Sequence, residues 1–366
     1  MTTLDNILDF TGGDKFYRFG NADGKYWIVP ARGVRTALNL YQPSGIKGKI
    51  LKALLPCLHW FAPARKAIKA ETVNCRLNSE LKELLCKTFG VQDIEFSIFE
   101  GTPSASQKIT IQISQNDKII GYCKISDEKN IFELFEKEYN NLKWLNQKGV
   151  KEIPQALYCG KVNNLFVFIQ STQKSSNSRV PHKLTMQHVE FINNLHQSTS
   201  IEIPFEESKL CKEITYLKSI IHNIQECDRS AFEKSIEHIE KHYKKSAKNT
   251  FSFFHGDFTP WNMYLEGGEL QVFDFEFAGR TFPPRIDLLH FVMQVWILEK
   301  KLNADCIYSR LELFRKQYDF SNTSIICYLI HILSFYFKLY KGHFDTKDNG
   351  YIIWTTLLKK YIDVIK

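Results

Sequence analysis

Apolar and polar positions alternate in short runs through the middle of the chain. Residues 94–99, 108–114 and 118–125 each keep a two-residue period and read as three antiparallel strands. The period then lengthens. Phe132, Phe135, Tyr139, Leu142 and Leu145 fall three or four apart, which makes one buried helical face over residues 131–147. Two further strands follow at 154–159 and 165–169. Beyond Gln170 the helical period dominates and predicts helices over 185–196, 207–224, 229–245, 286–300, 306–317, 323–340 and 351–365. Ahead of residue 94, residues 15–19 and 25–29 read as a hairpin around the turn Asn21-Ala22-Asp23-Gly24. Helices are expected near 34–41 and 47–60, and another from Ser79 as N-cap to Phe89, closed by Gly90. The class is α+β, with strands gathered in one half and helices in the other.

The 366 residues are enough for two lobes and an extension, and 44% hydrophobic with 24% charged residues describes a folded protein. Nine cysteines lie scattered without a C-x-x-C pair, mostly in apolar settings, so buried free thiols in a reducing compartment are expected. No signal peptide is visible, and the apolar stretches at 51–61 and 324–337 are broken or too short to span a bilayer, so a cytoplasmic location is expected. The net charge of +8, from 48 Lys+Arg against 40 Asp+Glu, reads as a moderate and dispersed excess. It does not require a nucleic-acid partner and leans toward anionic or neutral ones. Residues 45–69 intersperse Lys47, Lys49, Lys52, Arg65, Lys66 and Lys69 with Leu51, Leu54, Leu55, Leu58, Trp60 and Phe61. Such a stretch either packs on neighbouring strands or makes a peripheral contact with the inner face of a membrane.

Chemistry is concentrated between Phe254 and Asp287. The chain reads F-H-G-D-F-T-P-W-N-M-Y-L, then L-Q-V-F-D-F-E-F-A-G, then P-P-R-I-D-L-L. An aspartate followed five residues later by an asparagine lets one loop present a base and a metal ligand. The apolar run ending Val272-Phe273 then delivers a second metal ligand, Asp274. The bland alternative is a surface hairpin with Asp257 capping a turn. Five positions agree in order, however: His255, Asp257, Asn262, Asp274 and Asp287. This window resembles the catalytic loop of the aminoglycoside phosphotransferase and choline kinase group, small-molecule kinases of protein-kinase-like fold. With motifs, the resemblance covers residues 94 to 300. The first 90 residues have no counterpart.

The resemblance implies a two-lobe fold: an N-terminal extension (1–93), a strand-rich small lobe on the nucleotide side (94–170) and a large helical lobe (171–366). It also implies ATP and Mg2+ as cofactors. Asp257 would orient an acceptor hydroxyl and accept its proton, and His255 would brace the loop. Asn262 and Asp274 would hold magnesium, with Glu276 assisting a second ion or meeting the acceptor. Asp287 would cap its helix and steady the loop. Lys124, in G-Y-C-K-I, would pair with Glu138 on the following helix, where Glu133 and Glu136 compete for the assignment. The phosphate loop 99–108 carries one glycine, Gly101, with Ser104 and Ser106 as hydroxyl donors. Adenine would meet the backbone of residues 168–170, ending at Gln170. The basic pI of about 8.8 and the mixed charge of residues 205–247, taken as the wall of the acceptor pocket, favour a small-molecule acceptor such as a sugar or a lipopolysaccharide-type glycan precursor. Aminoglycosides and choline- or ethanolamine-like amines are the alternatives. The glycine-poor loop leaves a nucleotide-binding pseudokinase as a reading of another class, against which the full set of ligands and base stands.

Overall fold

Alternation of inward apolar and outward polar side chains builds eight strands that pair into one antiparallel sheet. The computed structural model describes residues 3–22, 24–43, 45–67, 69–101 and 107–365. In chain order the first elements are α1 (Thr3–Ile7), β1 (Leu8–Gly20), β2 (Tyr26–Pro30), α2 (Val34–Ala37), α3 (Ile46–Leu58), α4 (Ala62–Ala67), β3 (Glu71–Leu77) and α5 (Ser79–Phe89). Then come β4 (Glu95–Glu100), β5 (Ile109–Gln115), β6 (Lys118–Ser126), α6 (Lys129–Gln147), β7 (Ala156–Val162) and β8 (Leu165–Ser171). In space the strands run β3-β1-β2-β4-β5-β6-β8-β7. The core under this sheet joins Phe16, Ile28 and Leu77 to Ile98, Ile111, Ile125 and Val167, with Leu81 and Leu85 of α5 packed on it.

Residues 1–93, expected to form an extension, are therefore part of the same sheet. Strand β2 pairs with β4 through Trp27↔Phe99 and Ile28↔Ile98, covering what would otherwise be an open edge. Strand β3 was not foreseen. Thr72, Asn74 and Arg76 interrupt its apolar residues, and only alternate positions, ending at buried Cys75 and Leu77, face the core. The helix cap is Asn78, one residue before the expected Ser79, and its side chain accepts from Glu80 N. Gly90 closes that helix in the left-handed region at φ 67.

The chain divides into two units. The first comprises residues Met1–Gln147, Lys151–Arg179 and Tyr264–Glu276, and the second Lys148–Val150, Val180–Met263 and Phe277–Lys366. A boundary at residue 170 thus gives way to one near residue 179, and a segment of the expected helical lobe, 264–276, goes with the sheet. The second unit holds α7 (Met186–Thr199), β9 (Ile201–Ile203), α8 (Lys209–Ser219), α9 (Glu226–Tyr243) and β10 (Asn249–Phe254). The hairpin β11 (Met263–Glu266) and β12 (Glu269–Val272) leads away from it. The unit resumes with β13 (Gly279–Phe282), α10 (Ile286–Gln294), α11 (Ala304–Gln317), α12 (Asn322–Leu339) and α13 (Asn349–Val364). Helix α12 is long and apolar enough to cross a bilayer, but it is mostly buried against α8, α9, α10 and α13 and is the core helix of this unit. All nine cysteines are free, and three of them, Cys57, Cys227 and Cys306, are exposed rather than buried.

If residues 1–93 are structural, removing one of their core side chains must cost as much as any core deletion. Phe16 is 2% exposed, so Phe16→Ala should lower stability by about 3–5 kcal/mol in urea unfolding. A loss of a few tenths would mean that these strands pack apart from the sheet core.

Candidate active site

In the first unit, Lys124 stands on β6 between β5 and β8. Its Nζ lies 2.6 Å from Glu138 Oε2 and 2.6 Å from Asp274 Oδ1. Of the three glutamates on α6, only Glu138 is buried, at 0% exposure. Lys108 Nζ, one residue ahead of β5, lies 2.6 Å from Glu276 Oε2 and 3.9 Å from Asp274 Oδ1. Three carboxylates thus face two ammonium groups. Burial works against charge on Lys124, but Asp274 and Glu138 outweigh it and hold its pKa above the lysine range. For Glu138, burial raises the pKa despite Lys124, and Asp274 and Glu276 add to the rise.

The segment bearing Asp274 is not a continuous extended stretch. Strand β12 ends at Val272, and Asp274 has φ 71, a left-handed conformation that aspartate adopts more readily than most residues. Asn141, one helical turn beyond Glu138 on α6, donates from Nδ2 to Phe275 O at 3.3 Å and holds this bend in place.

In the second unit, β10 ends at Phe254 and runs into a loop held by Asp287. The Asp287 carboxylate accepts from His255 N at 2.8 Å and from Gly256 N at 3.1 Å. Gly256 has φ 82, and a Cβ there would sit 2.6 Å from Phe277 O, so the turn requires glycine. Asp257 N donates to His255 Nδ1 at 3.2 Å, which makes Nδ1 the acceptor of a fully buried ring. Asn262 Nδ2 donates to Asp257 O at 3.0 Å and Oδ2 at 2.7 Å, while His290 Nε2 lies 3.3 Å from Asp257 Oδ1. Asp257 is thereby fixed at both carboxylate oxygens yet keeps 31% of its side chain exposed. Such a group can orient a hydroxyl and take its proton. Asp287 steadies the loop as expected but does not cap the helix, where Arg285 occupies the N-cap.

Gln170 lies inside β8, with Tyr122 and Ala156 as ladder partners on either side, so it is a strand residue and not an open crossing. Gly101 O accepts from Gln107 Nε2 at 3.1 Å across the phosphate-loop segment, and Ser104 and Ser106 lie outside the described residues. Two groups went unrecognised in the sequence. Lys108 closes the loop segment, and its charge is visible only once Glu276 is placed beside it. His290 falls three residues after Asp287, one turn along α10, and that spacing was the available signal.

The donors suit a hard divalent cation. Glu138, Asp274 and Glu276 each offer an oxygen within 4.8 Å of the others. Glu138 Oε1 is buried without a hydrogen-bond partner. In the second unit, Asn262 commits Nδ2 to Asp257, which leaves its amide oxygen as the end suited to a cation.

Residues 123–302 match the model of the phosphotransferase enzyme family. No curated protein sequence matches the chain. Among solved structures, it is similar to a thermostable mutant of aminoglycoside phosphotransferase APH(4)-Ia in ternary complex with AMP-PNP and hygromycin B, with TM-score 0.50 and 9% identity over 78% of this chain and 98% of that one. It is also similar to the GDP complex of wild-type aminoglycoside 2'-phosphotransferase-IIIa (TM-score 0.48, 17% identity, covering 79% and 100%) and to a putative fructosamine-3-kinase from Haemophilus somnus (0.46, 14%, 78% and 96%). The chain is a small-molecule phosphotransferase with a protein-kinase-like fold.

Removing Lys124 would strand the Glu138 charge in the interior. Lys124→Met should cost about 3–5 kcal/mol, and adding Glu138→Gln should restore part of that loss in chemical unfolding. Equal stability of Lys124→Met and wild type would show that the pair is not a buried ionic contact.

Proposed function

We propose that the chain transfers the terminal phosphoryl group of ATP to a hydroxyl of a sugar or of a lipopolysaccharide-type glycan precursor. The observation that carries this reading is the Asp257 carboxylate, clamped by Asn262 and His290 and left partly open to solvent. The acceptor hydroxyl gives its proton to Asp257 as its oxygen bonds to the γ-phosphorus. The bond from phosphorus to the bridging oxygen breaks, and ADP leaves with that electron pair. Lys124, braced by Glu138, presents a fixed cation to nucleotide phosphates, and Lys108 offers a second. Asp274 and Glu276 in the first unit, and Asn262 in the second, would each offer an oxygen to magnesium, which would neutralise phosphate charge.

Two features of the second unit support a sugar over a polycation. Three of its acids are committed internally: Glu213 meets His331 at 2.8 Å, Asp228 meets Lys359 at 2.6 Å and Tyr351 at 2.8 Å, and Glu240 meets Lys218 at 2.8 Å. These three carboxylates are not free to meet an aminoglycoside or a choline-type amine. Near Asp257 stands an aromatic group instead. Burial and the Asp257 charge push the Tyr336 hydroxyl up to about 12. The Tyr336 ring stacks with Trp354 at 4.9 Å, Phe344 at 5.2 Å and Tyr340 at 6.1 Å. An aromatic face beside a carboxylate suits a sugar, whose C–H face stacks while a hydroxyl meets the acid. This wall comes from α12 and α13 rather than from residues 205–247. The retained Asp257, Asn262 and Asp274 weigh against a scaffold that only binds nucleotide.

Asp257→Asn should lower turnover by about 10²–10⁴-fold while nucleotide still binds, read as ADP release with pooled sugar, amino-alcohol and aminoglycoside acceptors. Near-normal turnover would remove Asp257 from its role. Phosphorylation of kanamycin-type compounds with no turnover of any sugar would overturn the acceptor class. Tyr336→Ala should raise KM for the acceptor by about tenfold with a smaller change in kcat, the mark of lost uniform binding. Asp274→Ala should abolish the magnesium dependence of ATP binding in calorimetry, and an unchanged affinity for Mg-ATP would move the metal site elsewhere.

A further inference from the structure

The outward face of α3 is more apolar than the face it turns to the sheet. Residues four apart share one side of a helix. Ile46, Ile50, Leu54 and Leu58 follow that spacing and are 78%, 53%, 50% and 37% exposed. Leu55 is the only buried residue of the helix. Just past its end, Trp60 and Phe61 are 69% and 47% exposed, with their rings 5.9 Å apart. A helix lying on a sheet in water normally shows the reverse pattern, polar side out. A row of large apolar side chains along one exposed face marks a surface that something covers.

Charge says what covers it. From Gly24 to Ala70 the chain carries nine lysines and arginines and no aspartate or glutamate. Of the 48 Lys+Arg in the protein, the other 39 face all 40 Asp+Glu, so the whole positive excess arises in this stretch. The excess is concentrated, not dispersed. Lys47 and Lys49 are exposed on α3 beside the apolar row, and exposed Lys66 and Lys69 continue the basic surface beyond Trp60 and Phe61. None of the nine makes an ion pair among the described residues.

We propose that α3, with Trp60 and Phe61, docks the chain on an anionic lipid surface. The apolar row enters the boundary of the acyl region, the two aromatic rings sit at its edge, and the lysines meet the lipid phosphates. A second copy of this chain fits poorly, because the same face would bring cations against cations. The proposal does not depend on which acceptor the kinase uses.

The test is sedimentation of the full chain with vesicles of phosphatidylcholine alone or with about one-third phosphatidylglycerol, a composition that sets the surface charge. The expected result is about tenfold stronger partitioning onto the anionic vesicles, falling steeply as salt is raised. Ile50→Ser/Leu54→Ser should lose binding with an unchanged Tm, since both residues are exposed. Lys47→Gln/Lys49→Gln should lose the preference for anionic lipid while keeping weak binding to both compositions. Wild type that stays in the supernatant with anionic vesicles overturns the proposal, as does a double-serine variant that binds like wild type. A concentration-dependent dimer, abolished by the serine pair while vesicles are ignored, would assign the face to a second copy instead. Turnover of soluble sugars without vesicles reports on the acceptor separately, so either reading can fail alone.

Discussion

A carboxylate with no exposed surface is tolerable only against a partner that cannot leave. Glu138 is 0% exposed, and Lys124 Nζ lies 2.6 Å from it. An unpaired charge at that depth would cost several kcal/mol, so the arrangement that holds the pair together is strongly selected over its alternatives. The consequences spread outward. Lys124 must sit on a strand covered on both sides, which β5 and β8 provide. Helix α6 must lie over that strand in one register, since a shift of one residue would swing Glu138 off its buried face. Asn141, three residues along the same helix, then holds the Asp274–Phe275 bend through Phe275 O. The strained φ of Asp274 is thus held from two positions on one helix, and Asp274 shares the Lys124 ammonium with Glu138.

The second unit solves a similar problem with backbone amides in place of an ammonium group. Asp287 spends both oxygens on the His255 and Gly256 N–H groups. Its charge is compensated, and the turn that only glycine can make is fixed. That leaves Asp257 as a carboxylate set by side chains alone, Asn262 on one oxygen and His290 on the other. A base must be able to exchange hydrogen-bond partners with a substrate hydroxyl, which a carboxylate locked by two backbone amides cannot do readily. The two aspartates differ in role because they differ in what they are bonded to, although both stand in short polar interruptions of apolar sequence.

Much of this was legible in advance, and the misses have physical causes. The strands from β4 to β8 and every long helix of the second unit follow clean periods, and the order His255, Asp257, Asn262, Asp274, Asp287 marks the chemistry by itself. Strand β3 does alternate, Val73, Cys75 and Leu77 against Thr72, Asn74 and Arg76, but only three inward positions carry the period and one of them is a cysteine, too short a run to stand out. The helical face of α6 was read one position off. The buried residues are Ile131, Phe135, Glu138, Asn141, Leu142 and Leu145, while Phe132 and Tyr139 are half-buried. Glu138 occupies a slot in that apolar row, which is itself a signal that a buried charge has a partner elsewhere. Residues 1–93 carried no motif, so the sequence offered no reason to join them to the sheet. The join depends on pairing between β2 and β4, a long-range contact that leaves no local trace.

Net charge was the least informative number taken from the sequence, because it hides position. A value of +8 suggested a mild preference for anionic partners everywhere. In the structure the preference has two separate sources. In the second unit Glu213 and Asp228 are bound to the chain's own histidine, lysine and tyrosine side chains, so a polycation gains little from them. The stretch from Gly24 to Ala70 has no acids at all, and its cations stand beside apolar side chains that are exposed among the described residues. Only the second of these is an attraction. The first is merely the absence of one, and a neutral sugar satisfies it as well as an anion does. The proposals for acceptor choice and surface attachment are therefore independent and rest on different residues, even though both could be drawn from a single count of lysines against glutamates.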